Sequence, residues 1–288
     1  MNEQNLLKMK PFEVKSKSAL LIFDLHQDIN WVKVILEKEK GNYDHIIWGG
    51  DFWDSFKSYP EVETVKNTAK FVVDIIEGKY GPSSIIQGNH CSAYREAYKY
   101  SSLFQSPKHL YHACSGFTKS KSVEISKVLK LEHWKQFHLF YVCNGFFISH
   151  AGLAQKFWNY YISKEENYDR LWEKCEESLK LINVCSHEIL EPGLARGGKQ
   201  IVGGLTWLDE SEFVDFEECD PQIMGHSELY NCARKHNRSY ILDGGQTIYG
   251  ILRDDGKLEI KSTKDYYTLA DYSNLKRFGK VTSEIIKS

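Results

Sequence analysis

Four short apolar runs in this chain are each followed at once by residue types that bind metal ions. The runs and the segments after them are Ser18-Ala-Leu-Leu-Ile-Phe23 before Asp24-Leu-His26, His45-Ile-Ile-Trp48 before Gly49-Gly50-Asp51, Ser84-Ile-Ile-Gln87 before Gly88-Asn89-His90, and Gly145-Phe-Phe-Ile148 before Ser149-His150. Runs of this length and composition are typical of buried strands. In an open α/β sheet, binding sites form beyond the carboxyl ends of the strands. The pattern therefore predicts a sheet with polar ligands along one edge.

Helical periodicity separates these runs. Residues 29–40 have it between the first two predicted strands, and residues 62–77 have it before the third. Later in the chain, residues 239–243, 247–252 and 257–260 have the composition of short strands, with Asp254-Asp255-Gly256 as a turn between the last two. The alternation of strands and helices in the first half predicts an α/β (α+β) fold class.

Residues 154–187 differ from the rest, because apolar and aromatic side chains recur there at three- and four-residue intervals among charges. This spacing indicates helices. A turn rich in proline and glycine follows at residues 191–198. We interpret residues 154–200 as a helical and glycine-rich insertion that acts as a cap or flanks the site. The chain of 288 residues, 42% hydrophobic, has enough apolar surface for one domain spanning residues 1–288.

Charge and cysteine usage exclude several classes. Lys+Arg 37 against Asp+Glu 39 gives a net charge of −2, so no global field attracts nucleic acid. The seven cysteines are scattered without a Cys-x-x-Cys pair, which predicts reduced structural thiols rather than a disulfide framework or a zinc ribbon. The amino-terminal sequence lacks a signal-peptide pattern and no window is apolar enough for a membrane span. We expect a soluble, cytoplasmic protein with no membrane partner; the sequence does not predict its oligomeric state.

Five segments supply the residues of a dinuclear metal site. The fifth is Gly225-His226-Ser227, and the second extends to Asp54. We expect Asp51 to bridge two ions; the remaining first-ion ligands are Asp24 and His26, and the remaining second-ion ligands are Asn89, His150 and His226. Mixed oxygen and nitrogen ligands favour manganese, with iron, zinc or nickel as alternatives. Two ions held by a bridging carboxylate deliver hydroxide and neutralise phosphoryl oxygens during displacement.

Two further residues are predicted to act in proton transfer. His90 follows the ligand Asn89 and would stand near the leaving oxygen, where it can donate a proton as a general acid. Asp54 would orient His90 and hold it protonated, as a carboxylate does in a His–Asp pair. Each segment alone is a common turn or loop sequence. Their order, and four placements directly after a strand-like run, are what indicate a site.

On these residues the chain resembles the calcineurin-like metallophosphoesterases, whose motifs run Asp-x-His, Gly-Asp-x-x-Asp, Gly-Asn-His, a later His, and Gly-His. It is most similar to their phosphoprotein-phosphatase branch, which includes phage and bacterial phosphatases and diadenosine tetraphosphate hydrolases. Ser149-His-Ala-Gly-Leu153 and Gly225-His-Ser-Glu228 carry that similarity, with support from segments 205–209 and 242–245. The resemblance spans roughly residues 18 to 262. It implies a central β-sandwich flanked by helices, with the active site at one edge.

The chain departs from that branch at the phosphate clamp. Ser55 and Gln87 stand where the branch has arginines, and Phe23 and Gln27 replace two glycines of its first motif. Arginine binds phosphate through paired charge-assisted hydrogen bonds, so their loss removes phosphate ligands. The candidate substitutes are Arg196, Lys199 and Arg95.

Together these features predict a metal-dependent hydrolase of phosphoric esters or phosphoanhydrides that uses metal-bound hydroxide and no phosphoenzyme. The substrate is open among several classes. Aromatic residues suited to stacking on a base favour a nucleotide or a dinucleoside polyphosphate, and a phosphomonoester is also a candidate; these residues are Tyr94, Tyr98, Tyr100, Phe104, Trp158, Tyr160 and Tyr161. A serine/threonine phosphoprotein is the close alternative, and a nucleic-acid end or cyclic phosphate is the third. An alternative of another class is a catalytically lapsed module that binds a phosphorylated ligand or a protein partner.

Overall fold

The computed structural model describes residues 10–98, 110–162, 167–273 and 282–287. The helices are α1 Ile29–Lys38, α2 Val65–Ile76, α3 Asn89–Tyr98, α4 Lys119–Val128, α5 Leu131–Trp134, α6 Gln155–Tyr161 and α7 Asp169–Leu181. The strands are β1 Glu13–Val14, β2 Ser18–Ile22, β3 His45–Trp48, β4 Ser83–Ile86, β5 Phe137–His138, β6 Phe140–Cys143, β7 Phe146–Ser149, β8 Gln222–Met224, β9 Cys232–His236, β10 Ser239–Ile241, β11 Ile248–Arg253, β12 Leu258–Ser262, β13 Tyr266–Asp271 and β14 Thr282–Lys287. Three single-turn 3-10 helices, at Glu188–Leu190, Leu194–Arg196 and Glu210–Glu212, lie between α7 and β8.

The strands form two sheets. One has six strands in the order β12-β11-β2-β3-β4-β5, and the other has eight in the order β1-β6-β7-β8-β10-β9-β13-β14. Strands β2 to β5 of the first sheet run parallel, so their carboxyl ends meet at one edge. In the second sheet β7, β8 and β10 are parallel neighbours, and the loops after β7 and β8 carry later site residues.

Alternation along the strands explains why the sheets stack. In β2, Ala19 and Leu21 face the core shared with the second sheet, whereas Leu20 and Ile22 face the core shared with α1 and α2. Side chains of successive strand residues point to opposite faces, so a strand buried on both faces is apolar throughout. A third core lies on the outer face of the second sheet, where Phe157 and Leu171 of α6 and α7 pack. The result is a β-sandwich flanked by helices.

Local sequence sets the starts of the first two helices. Asp28 caps α1 by accepting a hydrogen bond from the Trp31 amide, and Thr64 caps α2 by accepting one from the Asn67 amide. Capping side chains satisfy amides that have no partner within the helix. The helices that begin at these caps lead the chain away from the site loops and along the outside of the sheet.

The predicted fold class is confirmed. The four predicted strands with ligands after them are β2, β3, β4 and β7, with ends shifted by at most one residue, and both predicted helices are present as α1 and α2. Residues 154–187 contain the predicted helices α6 and α7. Their packing on the second sheet does not test the cap, which stays a prediction, as does the single domain. Among the described residues, no helix has both the length and the apolar character of a membrane span.

Candidate metal centre

The predicted ligands lie on loops that leave the strand ends in an unusual backbone conformation. Asp24, His26, Asp51 and His226 have φ angles of 49°, 41°, 48° and 66°. Residues other than glycine rarely adopt this left-handed region, which costs about 1–3 kcal/mol per residue. Such strain concentrates at functional sites, where the surrounding structure holds a side chain in one required direction.

The side chains converge on two groups that share one carboxylate. Asp24, His26 and Asp51 place a ligand atom each within 4.8 Å of one another, and Asp51, His150 and His226 do the same. Asn89 adjoins the second group, because its Oδ1 lies 3.0 Å from Nε2 of His150. Asp51 belongs to both groups, as a bridging carboxylate would. The six predicted ligands are therefore brought together.

His26 and His150 present their Nε2 atoms to the site, because their Nδ1 atoms are held by backbone carbonyls. Nδ1 of His26 lies 2.9 Å from the carbonyl oxygen of Trp53, and Nδ1 of His150 lies 2.8 Å from that of Gly49. Metal-binding histidines commonly donate their second ring nitrogen to a carbonyl, which fixes the ring. Their Nε2 atoms point at the carboxylates of the site, with that of His150 3.3 Å from Oδ2 of Asp51.

A buried nitrogen without a partner supports the fit to a metal ion. Nε2 of His226 is buried and has no hydrogen-bond partner. Burial, together with the nearby His150 and Arg196, lowers the pKa of His226 well below its usual value. Burial also lowers the pKa of His26. Neutral imidazoles with a free nitrogen are the form that binds metal, so His26 and His226 fit divalent ions. Asp51 and Asp24 outweigh burial and raise the pKa of His150 to about 9, so an ion would displace a proton from that ring.

The pKa values of the carboxyls of Asp24 and Asp51 are shifted in opposite directions. Burial and the neighbouring Asp243 raise the pKa of Asp24 well above its usual value. Burial also acts on Asp51, but the charges of His150 and His90 outweigh it and lower the pKa of that carboxyl. Without cations the carboxylates repel one another, so bound metal ions would relieve that repulsion.

His90 and Asp54 form the predicted contact. Nδ1 of His90 lies 3.0 Å from Oδ2 of Asp54, and both side chains are buried. Burial opposes the charged ring, but Asp51 and Asp54 outweigh it, so the pKa of His90 is raised. The proton-donating role of the pair stays a prediction.

Asp54 has two more partners that the motifs do not reveal. The hydroxyl of Tyr94 donates to Oδ1 of Asp54 at 2.6 Å, and Nζ of Lys121 lies 2.7 Å from the same oxygen. Lys121 stands on α4, 67 positions away in sequence, so no local pattern connects it with the site. Burial opposes ionisation of Asp54, but His90, Lys121 and Tyr94 outweigh it and lower the pKa of the carboxyl.

A cavity of about 390 Å³ opens over the ligands and shows where the predicted phosphate-binding residues lie. Arg196 lines it, with Nε 2.6 Å from Oδ2 of Asp209 and Nη2 3.2 Å from Oγ of Ser227. Lys199 is exposed and does not line it. Arg95 does not line it either, because its guanidinium donates to Oε1 of Gln87 and to the Phe137 carbonyl. Of the three candidates, only Arg196 is brought to the ligands.

The aromatic residues at the cavity are not the predicted ones. Tyr94, Trp158 and Tyr161 are buried in the cores, and Tyr100 and Phe104 lie outside the described residues. The cavity is lined by Phe56 and Trp207 instead. Phe56 is 81% exposed, with its ring centre 6.2 Å from that of His26. Phe56 stands two residues after Asp54, and no periodicity or motif in the sequence marks it as a site residue.

A family model described as calcineurin-like phosphoesterase matches residues 22–227. The chain belongs to the calcineurin-like phosphoesterase family. The matched range contains all six predicted ligands, His90 and Asp54, and the family implies divalent ions at a dinuclear site. As a member, this phosphoesterase is a hydrolase that depends on metal ions and acts on phosphorylated substrates.

Solved structures of low identity share the fold of this phosphoesterase. One is a cold-active protein-tyrosine phosphatase of a psychrophilic Shewanella species, which is 13% identical in sequence. The match covers 88% of this chain and 83% of the phosphatase chain, with a TM-score of 0.53. A serine/threonine phosphatase from Saccharomyces cerevisiae is 12% identical and covers 88% and 83%, but its TM-score of 0.47 is too low to carry an argument. At these identities the likeness shows the fold alone. No curated protein matches the sequence.

Proposed function

We propose that this phosphoesterase hydrolyses phosphomonoesters at a dinuclear centre, with manganese as the expected ion. The observation that carries the proposal is Asp51, which belongs to both ligand groups of one cavity that also contains His90. Asp24 and His26 would complete the first ion's protein ligands, and Asn89, His150 and His226 those of the second. Two such ions supply Lewis acidity toward the phosphoryl oxygens and activate water near neutral pH.

The protein's own side chains would handle the leaving group. His90 lines the cavity, and its Nδ1 is held by Asp54, so its other nitrogen is free to protonate the departing oxygen. Proton donation by a positioned acid contributes about 10²–10⁴-fold to such reactions. The buried carboxylate of Asp54 fixes the ring and favours the protonated form of His90.

The charges of the cavity favour a substrate with one phosphoryl group. Arg196 is the one arginine or lysine that lines it among the described residues, and Asp209 holds its guanidinium in place. Glu228 lines the same cavity and would repel phosphates beyond the one that the two ions and Arg196 bind, whereas Glu210 there is paired with Arg234 and His236. A dinucleoside polyphosphate would have more negative charge than this wall can neutralise. The phosphomonoester alternative is therefore preferred over the polyphosphate.

An aryl phosphate, such as phosphotyrosine, is the second candidate substrate. Phe56 offers an exposed ring at the edge of the cavity, and flat rings stack or pack edge to face there at little cost. The Shewanella protein of similar fold is described as a protein-tyrosine phosphatase. We expect Phe56→Ala to raise KM for phosphotyrosine more than for phosphoserine; equal effects would remove the aryl preference.

Phosphate release from para-nitrophenyl phosphate by the manganese-loaded protein tests the proposed function. We expect activity in the wild type and its loss in Asp51→Asn. His133→Gln is the matched control, because His133 is on α5 and does not line the cavity. His90→Ala is expected to lose less activity on this substrate, since nitrophenolate needs little protonation. No turnover of any phosphomonoester by protein with two ions bound would favour the non-catalytic binding module.

A further inference from the structure

Cys114 is next to the proposed acid, and the proposed reaction has no use for it. Its Sγ lies 3.4 Å from Nδ1 of His90 and 3.8 Å from Oδ2 of Asp54. It belongs to none of the five sequence segments. Cys114 and Cys185 are partly exposed, whereas the other five free cysteines are buried. Its neighbour Ser115 lines the cavity, so solutes can approach this thiol from the site.

The three atoms are spaced as ligands of one ion. Oδ2 of Asp54 lies 3.0 Å from Nδ1 of His90, and Sγ of Cys114 completes a triangle with sides of 3.4 and 3.8 Å. Tetrahedral zinc has bonds of about 2.0–2.3 Å, which place its ligand atoms about 3.3–3.8 Å apart. An ion bound to the three atoms therefore requires little movement, and a water molecule can supply the fourth ligand.

We propose that Asp54, His90 and Cys114 form a third cation site, distinct from the dinuclear centre, which binds thiophilic divalent ions such as zinc and cadmium. Thiolate, imidazole and carboxylate are a common ligand set for these ions, whereas manganese prefers oxygen. The thiolate distinguishes this site chemically from the dinuclear centre, which has no sulfur ligand among its six residues. The remaining oxygen of Asp54 stays with Tyr94 and Lys121.

The charge balance permits this site despite the nearby ammonium of Lys121. Binding releases one proton from the Cys114 thiol and one from Nδ1 of the protonated His90 ring. A divalent ion then replaces two protons, so the net charge beside Lys121 does not change. Metal binding displaces thiol protons outright, so burial of Cys114 does not prevent it.

Occupancy would inhibit the proposed hydrolysis, and this part rests on the proposed function. An ion on Nδ1 removes the hydrogen bond between His90 and Asp54. The ring then loses the contact through which Asp54 orients it toward the leaving group. The site would thus make the phosphoesterase sensitive to thiophilic cations while manganese remains on the dinuclear centre.

Cadmium binding tests the site without reference to activity. Cys185→Ser protein serves as the background, because Cys185 is the other partly exposed thiol and its Sγ lies 3.3 Å from Nε2 of His187. Manganese-loaded protein in this background is titrated with cadmium, and the ultraviolet absorption of the cadmium–thiolate bond is recorded. We expect the absorption at one equivalent with Cys114 and its loss with Cys114→Ser. Equal absorption in both proteins would overturn the site.

Inhibition is then measured in the same two proteins with manganese in excess. Relative to each protein's own rate without cadmium, Cys114→Ser is expected to raise the half-inhibitory concentration at least about tenfold, since even indirect ligand partners contribute about 10–100-fold to affinity. Equal half-inhibitory concentrations would show that cadmium acts at the dinuclear centre and would contradict inhibition through Cys114. Inactivity of both proteins before cadmium is added would count against the hydrolase, while the absorption experiment would still decide the site.

Discussion

At the scale of single residues, Asp54 is the most heavily constrained side chain of the site. It is buried, and its two oxygens contact His90, Tyr94 and Lys121. A buried carboxylate with three such partners is held in one position, and it transmits that position to His90. Substitution of Tyr94 or Lys121 should therefore change how well His90 acts as a general acid.

Lys121→Met tests this arrangement, because it removes the ammonium and keeps the apolar stem. We expect kcat to fall about tenfold for phenyl phosphate, a fraction of the whole general-acid effect. The fall should be smaller for 2,4-dinitrophenyl phosphate, whose leaving group needs no proton. The ratio of the two rates is the measurement, and Lys119→Met, on the same helix, is the control. Equal losses on both substrates would assign Lys121 a purely structural role.

The raised pKa of Asp243 predicts that the stability of the metal-free protein depends on pH. Burial raises the pKa of Asp243 to about 7. A carboxyl with a higher pKa in the folded state binds its proton more tightly there, so its contribution to stability falls as pH rises from about 4 to about 7. Asp243→Asn mimics the protonated form. We expect the variant to gain stability over the wild type between pH 4 and pH 8, in chemical unfolding with EDTA. A difference independent of pH would contradict this shift.

Site residues that belong to a sequence motif were predictable, whereas residues that reach the site from distant positions in the sequence were not. Asp24 and His150 lie within two residues of the end of a strand, so sequence and geometry coincide. Lys121 comes from α4 and meets Asp54 only in the folded chain. Arg95 has the charge expected of a phosphate ligand, yet its guanidinium is held by Gln87, which no sequence spacing reveals.

At the scale of elements, the close approach of strand ends leaves no room for side chains at certain glycines. A Cβ at Gly225, directly after β8, would lie 2.0 Å from Oδ2 of Asp24. The amide of the next residue, His226, donates to the same oxygen at 3.0 Å. The loop after β8 thus fixes the orientation of Asp24, a predicted ligand on the loop after β2. Residues from both sheets therefore contact one another at the site.

Gly225→Ala should weaken metal binding more than folding. We expect a destabilisation of about 1–3 kcal/mol in metal-free protein, from overpacking. The added stability on loading with manganese should also shrink, because Asp24 is displaced. Gly81→Ala is the control, since a Cβ there meets nothing within 4 Å and only its φ of 96° is strained. An undiminished manganese effect in Gly225→Ala would show that Asp24 is not a ligand.

The elements differ in how well their sequences reveal them. The sequence predicts strand β3 with its observed bounds, because His45–Trp48 is a short apolar run between polar turns. Helices α3 and α4 were not predicted, because α3 begins at the ligand Asn89 and α4 is largely polar. Tyr94 of α3 packs against Trp53 and Phe117, and Ile125 of α4 lies in the same core, so the positions of both helices depend on packing rather than on their own periodicity.

At the scale of the whole molecule, the sandwich gathers ligands from both sheets. Asp24, Asp51 and Asn89 follow strands of the six-stranded sheet, and His150 and His226 follow strands of the eight-stranded sheet. Ions bound to these predicted ligands would therefore connect the two sheets. Metal removal should reduce global stability, by about 2.7 kcal/mol for each of the two ions, relative to protein in free manganese at one hundred times the dissociation constant. Thermal unfolding with manganese or EDTA measures this, and identical unfolding temperatures would contradict binding across the sheets.

The dinuclear centre is tested most directly by titrating metal-free protein with manganese while phosphate release and bound metal are measured on the same samples. Shared use of Asp51 predicts that activity reaches its plateau at two ions per chain, and that Asp51→Asn neither retains two ions nor turns over substrate. Full activity in metal-free protein, or a plateau at one ion per chain, would contradict a two-metal phosphoesterase.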